Sequence, residues 1–173
     1  MMGPHEYPMF EPIRIWLDHT QLGHMMTGTV WAWPLFESIH FFGLALMIGT
    51  VGLFDLRLMG LAKQMSPTSV HRLIPWGLVG FGLCVVTGIG FLCGTPDQYL
   101  YNEAFWWKVT FLLTAGINAG VFYLAVFRNV RSLPAGADAP FAARMAGCIS
   151  LCCWIGVMVA GRLLTFFRPA YVG

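Results

Sequence analysis

Four ionisable side chains lie inside stretches that are otherwise apolar: Glu37, His40, Lys108 and Arg162. A charged group at membrane depth is costly unless it is paired, so residues of this kind indicate a function. With a rise of about 1.5 Å per helical residue, His40 lies roughly 9 Å deep and the other three lie about 3–6 Å deep on the same side. Two cations beside one carboxylate leave one positive charge in excess.

This positive excess predicts that the four residues surround an anionic or electron-rich cofactor. His40 would ligate the iron of haem b or hydrogen-bond a quinone carbonyl, while Lys108 and Arg162 would pair with haem propionates. Met158, one turn deeper than Arg162 on the same helix face, is a candidate second axial ligand. The alternative is a structural ion-pair network in which Glu37 pairs with one of the cations and His40 bonds a backbone carbonyl.

A second group of possible ligands precedes the first apolar stretch, and its thioethers and imidazoles suit copper(I). Its most compact cluster is His24, Met25 and Met26, and the other members are Met1, Met2, His5, Met9 and His19. The alternative is that these methionines are apolar residues of a membrane interface. The five cysteines show no Cys-x-x-Cys spacing, so we expect them to serve as small apolar residues rather than as zinc ligands.

The amino-acid composition indicates the class of protein in which these candidate site residues lie. The 173 residues are 57% apolar without counting 20 glycines, and only 10% are charged, against about 25% in a soluble domain. Polar side chains are too few to cover a soluble surface, and the hydrophobicity excludes disorder. The net charge of +2 is too small to indicate nucleic-acid binding through phosphates. The composition therefore predicts an all-α integral membrane protein.

Four apolar runs are long enough to cross a bilayer, which takes about 20 helical residues. They cover residues 30–54, 73–93, 105–127 and 141–167. Residues 10–27 place polar and apolar side chains on opposite faces at helical spacing, which predicts an amphipathic helix in the membrane interface. The expected architecture is an antiparallel four-helix transmembrane bundle over residues 30–173, preceded by an outer-side segment, residues 1–29, that carries the interfacial helix.

Basic residues near the ends of the spans predict the orientation, because they favour the cytoplasmic side. Six of them lie around the first and third connections: Arg57, Lys63, Arg72, Arg128, Arg131 and Arg144. Both termini are therefore expected in the periplasm, with the bundle in a bacterial inner membrane. Asp55 falls at the cytoplasmic end, where we expect a helix-end salt bridge with Arg57 or Arg72.

Several pieces of the sequence match a known pattern: Trp33-Pro-Leu-Phe-Glu-Ser-Ile-His-Phe-Phe-Gly, Asp55-Leu-Arg-Leu-Met-Gly and Phe105-Trp-Trp-Lys. Over residues 10–168 the chain resembles a family of small bacterial four-helix membrane proteins described as a domain of unknown function. A first-helix His-x-x-Gly and an early lysine in the third helix are more distantly similar to the copper resistance D membrane domain and to haem-containing membrane protoporphyrinogen oxidases. In that oxidase group these two positions are functional, and the resemblance places them at His40 and Lys108. The rest of the oxidase pattern is not evident, so the enzymatic activity is not carried over.

Three functions follow from these observations. The first is a small membrane subunit whose outer-leaflet site binds haem b or a quinone and serves a membrane electron-transfer assembly. The second is copper handling of the copper resistance D type, and the third is an accessory or assembly subunit without chemistry of its own. In each case the expected partners are the lipid bilayer and other membrane protein subunits, and enzymatic activity is not favoured.

Overall fold

The computed structural model describes residues 8–167, and the regular structure in this range is entirely helical. The elements are a 3₁₀ turn Pro8–Phe10, α1 Glu11–Asp18, α2 Gln21–Gly28, α3 Ala32–Met59, α4 Pro67–His71, α5 Ile74–Gly94, α6 Pro96–Leu100, α7 Glu103–Val121, a π-helical turn Phe122–Val126, α8 Phe127–Val130 and α9 Phe141–Leu163. Four helical segments, Ala32–Met59, Pro67–Gly94, Glu103–Val130 and Phe141–Leu163, are long and apolar enough to cross a membrane. The prediction of four long apolar helices is confirmed.

The long helices begin close to their predicted positions, but two of them extend further than expected. α3 continues past residue 54 and stops at Gly60, whose φ of 93° lies in the left-handed region that favours glycine. α7 runs into the π-helical turn Phe122–Val126 and then into α8, so the third apolar segment reaches Val130. Apolar runs alone predict neither the left-handed glycine that ends α3 nor the π-helical turn that follows α7.

The N-terminal amphipathic segment forms two short helices rather than the single helix predicted over residues 10–27. The break lies at Thr20, whose hydroxyl accepts a hydrogen bond from the backbone N–H of Gly23 at 3.1 Å and so begins α2. Leu17 of α1 is buried against Leu100 of α6. Because α1 and α2 pack on α5, α6 and the start of α3, we call this end of the bundle the capped end.

Small residues set the closest approach between the long helices. A Cβ atom on Gly43 of α3 would lie 2.8 Å from the Gly80 carbonyl oxygen of α5, and one on Gly80 would lie 2.6 Å from the Gly43 carbonyl oxygen. α3 also packs on α9, and α9 packs on α7, whereas α5 and α7 make at most marginal contact within residues 8–167. The bundle therefore has an open seam between α5 and α7.

Arg57 joins the two connections at the other end of the bundle, which we call the loop end. The side chain is 0% exposed, and it donates from Nε to the Met65 carbonyl at 2.5 Å and from Nη2 to the Ala137 carbonyl at 3.1 Å. These two carbonyls belong to the connection before α4 and to the connection before α9. A guanidinium group has five N–H donors in a fixed geometry, so one side chain can donate hydrogen bonds to carbonyls of both connections.

Asn102 has the corresponding role at the capped end, where it is 1% exposed. Its Oδ1 accepts from the Ala104 backbone N–H at 3.0 Å, which caps α7. Its Nδ2 donates to the carbonyls of Leu164 at 3.1 Å and Phe167 at 2.7 Å, just after α9. One buried amide thus ties the start of α7 to the end of α9 and satisfies carbonyl groups that a helix end leaves unpaired.

Candidate functional site

His40 lies half-buried on α3, in the half of the bundle nearer the capped end. Its Nδ1 is 2.7 Å from the hydroxyl oxygen of Thr87 on α5, a side chain that is 2% exposed. The Thr87 hydroxyl in turn donates to the Leu83 carbonyl of its own helix at 2.7 Å. A hydroxyl has a single hydrogen, so with that bond formed its oxygen accepts from the Nδ1–H of His40. In this arrangement, Nε2 of His40 carries the free lone pair.

The neighbours of His40 hold the imidazole ring in one position. Phe91 packs against it edge to face, with the two ring centroids 5.6 Å apart. The close crossing of Gly43 and Gly80 lies one turn further along α3 and keeps α5 at a fixed distance. Sequence reasoning missed Thr87, which is 47 positions away in the chain and looks like an ordinary polar residue in an apolar helix.

Lys108 is brought to the same region from α7. Its side chain is half-buried, and its ammonium nitrogen lies 3.9 Å from the position that a Cβ atom on Gly161 of α9 would occupy. It interacts electrostatically with His40 and with the Cys84 thiol. No hydrogen bond or ion pair joins Lys108 to another side chain among the described residues. The structure therefore places a lysine without an anionic partner among the described residues within electrostatic range of the oriented histidine.

Glu37 and Arg162, which the sequence predicts to share this site, are both exposed. Burial, and then the neighbouring Glu37 carboxylate, raise the pKa of Tyr99 to about 12, which places Glu37 near α6. The Arg162 guanidinium lies over the Phe166 ring, 5.3 Å from its centroid. No ion pair links Glu37 to Arg162 or Lys108 in the described part of the chain, so the ion pairs of the alternative network are not seen there. The Cys84 backbone interacts with the His40 ring, as the other part of that alternative expects. Convergence of all four residues on a ligand stays a prediction.

Met158, the candidate second axial ligand, lies on α9 and is exposed. No described residue orients the Met158 side chain in the way that the Thr87 hydroxyl orients His40. A cavity of about 540 Å³ runs between α7 and α9 and is lined mostly by apolar side chains, including Trp107 and Phe111, but neither Met158 nor His40 lines it. Met158 as an iron ligand stays a prediction.

The copper cluster proposed around α2 gains no support from the geometry. Successive residues of a helix point about 100° apart, so His24 and Met25 are exposed whereas Met26 is buried in an apolar cluster with Ala32 and Phe91. Residues 8–167 contain no group of three His, Cys, Asp or Glu side chains placed to hold a metal ion. Three of the predicted copper ligands lie outside the described residues: Met1, Met2 and His5.

Asp55 corrects a further expectation, because the predicted helix-end salt bridge with Arg57 or Arg72 does not form. Asp55 is 4% exposed, and its Oδ2 has no hydrogen-bond partner. Arg57 is two residues along α3, points to a different side of the helix and is committed to backbone carbonyls of the connections. The Ser150 hydroxyl of α9 lies beside the carboxyl group. A buried carboxylate without a cation is thus a second unusual polar group.

Comparison with known proteins identifies the family but supplies no activity. The model of a family of unknown function (DUF6644) matches residues 15–167, which is most of the chain, and the chain belongs to this family. No curated protein and no solved structure matches. The likeness to the copper resistance D domain and to the protoporphyrinogen oxidases therefore gains no support.

Proposed function

We propose that this member of a family of unknown function is a multi-pass protein of a bacterial inner membrane whose outer polar site binds haem b and serves a membrane electron-transfer assembly. Four long apolar helices support insertion as an antiparallel bundle. The basic residues at the loop end support a cytoplasmic position for that end, with both termini periplasmic. The capped end, with His40 and Lys108, then lies toward the periplasm.

The observation that carries this proposal is the hydrogen-bond chain from His40 through Thr87 to the Leu83 carbonyl. Histidines that bind a metal characteristically donate their other ring N–H to a fixed acceptor, which sets the tautomer and the ring orientation. Here Thr87 is that acceptor, and it leaves Nε2 of His40 free to bind iron. Bound haem would supply one-electron transfer, and the chain's own residues would hold and orient it.

Lys108 is the second element of the proposed site. An unpaired ammonium group at membrane depth is unfavourable, and a propionate carboxylate beside it would relieve that cost. Because α5 and α7 pack little on each other, a ligand from the bilayer would enter between these two helices. His40 and Lys108 therefore provide an iron ligand and an anion partner on two different helices.

A quinone is the alternative ligand. The two ligands require the proton of neutral His40 on different ring nitrogens. To donate a hydrogen bond to a quinone carbonyl, neutral His40 needs its proton on Nε2, so the Thr87 hydroxyl must donate to Nδ1 instead of to the Leu83 carbonyl. The observed 2.7 Å contact between Thr87 and the Leu83 carbonyl favours the haem arrangement. Lys108 would serve as a donor to either ligand.

The deciding experiment is purification from a haem-sufficient host, followed by absorption spectroscopy and lipid extraction. We expect a Soret band and a pyridine haemochrome typical of haem b, lost in His40→Ala and weakened in Lys108→Met. His24→Ala is the matched control, because His24 is exposed on α2 and should leave the spectrum unchanged. Protein that carries quinone but no haem supports the alternative ligand. Folded protein with neither ligand refutes the cofactor proposal and favours an accessory subunit.

The proposed orientation has its own test, independent of any cofactor. A reporter that is active only in the periplasm, fused after residue 173, should be active, and the same reporter inserted in the connection 131–140 should be silent. This follows from the excess of basic residues around the loop-end connections. Activity only at 131–140 would invert the orientation and place His40 toward the cytoplasm.

A further inference from the structure

A second cavity, in the half of the bundle nearer the loop end, contains the buried carboxyl group of Asp55. Its volume is about 140 Å³, and all four long helical segments contribute to its wall. Asp55 lines this cavity, is 4% exposed, and has an Oδ2 without any hydrogen-bond partner. Burying an unpaired carboxylate is costly. A ligand that supplies a hydrogen-bond donor or a positive charge would remove that cost.

The described residues do not supply the missing cation. No lysine or arginine among them lines the cavity. The Asn118 amide group donates to the Ala146 carbonyl at 3.0 Å, and the Ser150 hydroxyl is a neutral neighbour of the carboxyl group. Arg57 is directed to the connections, as described above. The carboxylate therefore faces a space in which the described residues offer only neutral partners.

Aliphatic side chains form most of the remaining wall, and four aromatic side chains complete it: Phe54, Phe122, Tyr123 and Trp154. Phe122 and Tyr123 belong to the π-helical turn, a local widening of a helix that is frequent at functional sites. Outside the cavity, the His71 Nε2 lies 3.1 Å from the Tyr123 hydroxyl and holds that ring in place. Aromatic faces attract cations through their electron density, most strongly where water is excluded.

The size and position of the cavity limit the ligand. A cavity of about 150 Å³ accommodates one benzene ring, so the space near Asp55 suits a molecule with a single ring or a short branched chain. Leu78 of α5 and Ala119 of α7 line the cavity and are exposed on either side of the open seam. A ligand dissolved in the bilayer can therefore reach the cavity sideways, without passing through the connections.

We propose that this cavity binds a small organic cation, with its ammonium group on the Asp55 carboxylate and its hydrocarbon part among Phe54, Phe122, Tyr123 and Trp154. A charge-assisted hydrogen bond and cation–π attraction provide the recognition. The site is separate from that of His40, since 15 residues of the same helix place the two about 22 Å apart. It goes beyond the proposed haem function and does not depend on it.

The test measures binding of radiolabelled benzylammonium to the full chain in lipid nanodiscs, with empty nanodiscs as the background. We expect saturable binding that Asp55→Asn weakens by about tenfold or more, because a charge-assisted bond becomes a neutral one. Asp138→Asn is the matched control: Asp138 is an exposed loop-end carboxylate that pairs with Lys63 at 2.5 Å, and its loss should leave the affinity unchanged. Benzyl alcohol, which has the same shape but no charge, should compete at least about tenfold less well.

A second variant keeps the proposal testable if Asp55→Asn does not fold. Ala119→Phe narrows the mouth of the cavity from an exposed position and leaves the carboxylate in place, so it should also weaken binding. Absence of saturable binding to folded wild-type protein overturns the proposal, as does equal competition by benzyl alcohol. His40→Ala should leave benzylammonium binding unchanged, and Asp55→Asn should leave the haem content unchanged, so failure of one site is distinguishable from failure of the other.

Discussion

Replacing Thr87 by valine removes the hydroxyl that supports His40 while keeping the shape of the side chain. Thr87 is 2% exposed, so water cannot substitute for the lost group, and the Nδ1–H of His40 loses its acceptor at 2.7 Å. Hydrogen bonds between transmembrane helices are worth about 0.6 kcal/mol on average and up to about 1.7 kcal/mol. With so little exposure, we expect Thr87→Val to lower the free energy of unfolding by about 1–1.5 kcal/mol.

The effect on the cofactor is expected to be larger than the effect on stability. Loss of the group that orients a metal-binding histidine typically reduces metal affinity by about 10–100-fold. Haem titration into the purified apoprotein measures this, and unfolding in mixed micelles measures the stability. Thr110→Val is the matched control, because the exposed Thr110 hydroxyl donates only to the Trp106 carbonyl of its own helix at 2.9 Å. Equal haem affinity in the two variants would refute the supporting role assigned to Thr87.

A double-mutant cycle assigns the stability effect to the contact itself. Thr87→Val, His40→Ala and the double variant are compared with the wild type, and a coupling energy of about 0.6–1.7 kcal/mol is expected for a hydrogen bond between spans. Additive effects would mean that the two side chains stabilise the bundle independently. In that case the 2.7 Å contact would not fix the tautomer on which the haem assignment depends.

Two further predictions concern the packing that positions the site, and both use thermal or chemical unfolding of the purified protein. Gly43→Ala should destabilise the bundle by about 1–3 kcal/mol, because its Cβ would lie 2.8 Å from the Gly80 carbonyl oxygen. Gly82→Ala, where the new Cβ meets nothing within 4 Å, should be neutral or stabilise by up to about 1 kcal/mol, and equal effects would contradict the close crossing. Asn102→Ala should destabilise by about 2 kcal/mol or more, since it removes a helix cap and two bonds to carbonyls just after α9. Thr20→Ala removes a cap and should cost about 1 kcal/mol, so a similar loss in both would show that the α7–α9 link contributes little.

The apolar runs predict the four long helices well, because a span needs about 20 apolar residues whatever its neighbours are. Depth along a helix is also predictable, since every residue advances by about 1.5 Å. Rotation of one helix against its neighbours is not: Glu37 and His40 lie about one turn apart on α3, yet Glu37 is exposed and His40 contacts α5. Contacts such as that with Thr87 depend on which faces of two helices meet.

The short sequence separation of Asp55 and Arg57 leads to a wrong prediction of a salt bridge. Arg57 is only two residues away, but two residues of a helix turn about 200°, so the two side chains leave α3 in nearly opposite directions. The predicted salt bridge required them to meet. The same geometry explains the dispersal of the consecutive residues His24, Met25 and Met26, which a helix cannot present together to one metal ion.

The partners of the two buried charged residues of α3 indicate that Asp55 does more than fill space in the core. The loop end contains Arg57, a fully buried cation whose Nε and Nη2 donate to backbone carbonyls while its Nη1 has no partner, and Asp55, a buried acidic residue without a cation among the described residues. In a fold that needed only a stable core, an asparagine or a serine beside Ser150 would fill the same space without the cost of an unpaired charge. The carboxylate instead faces an apolar cavity whose wall includes four aromatic side chains, next to the open seam between α5 and α7. Its position is unfavourable for the empty bundle and favourable for one that receives a cation there.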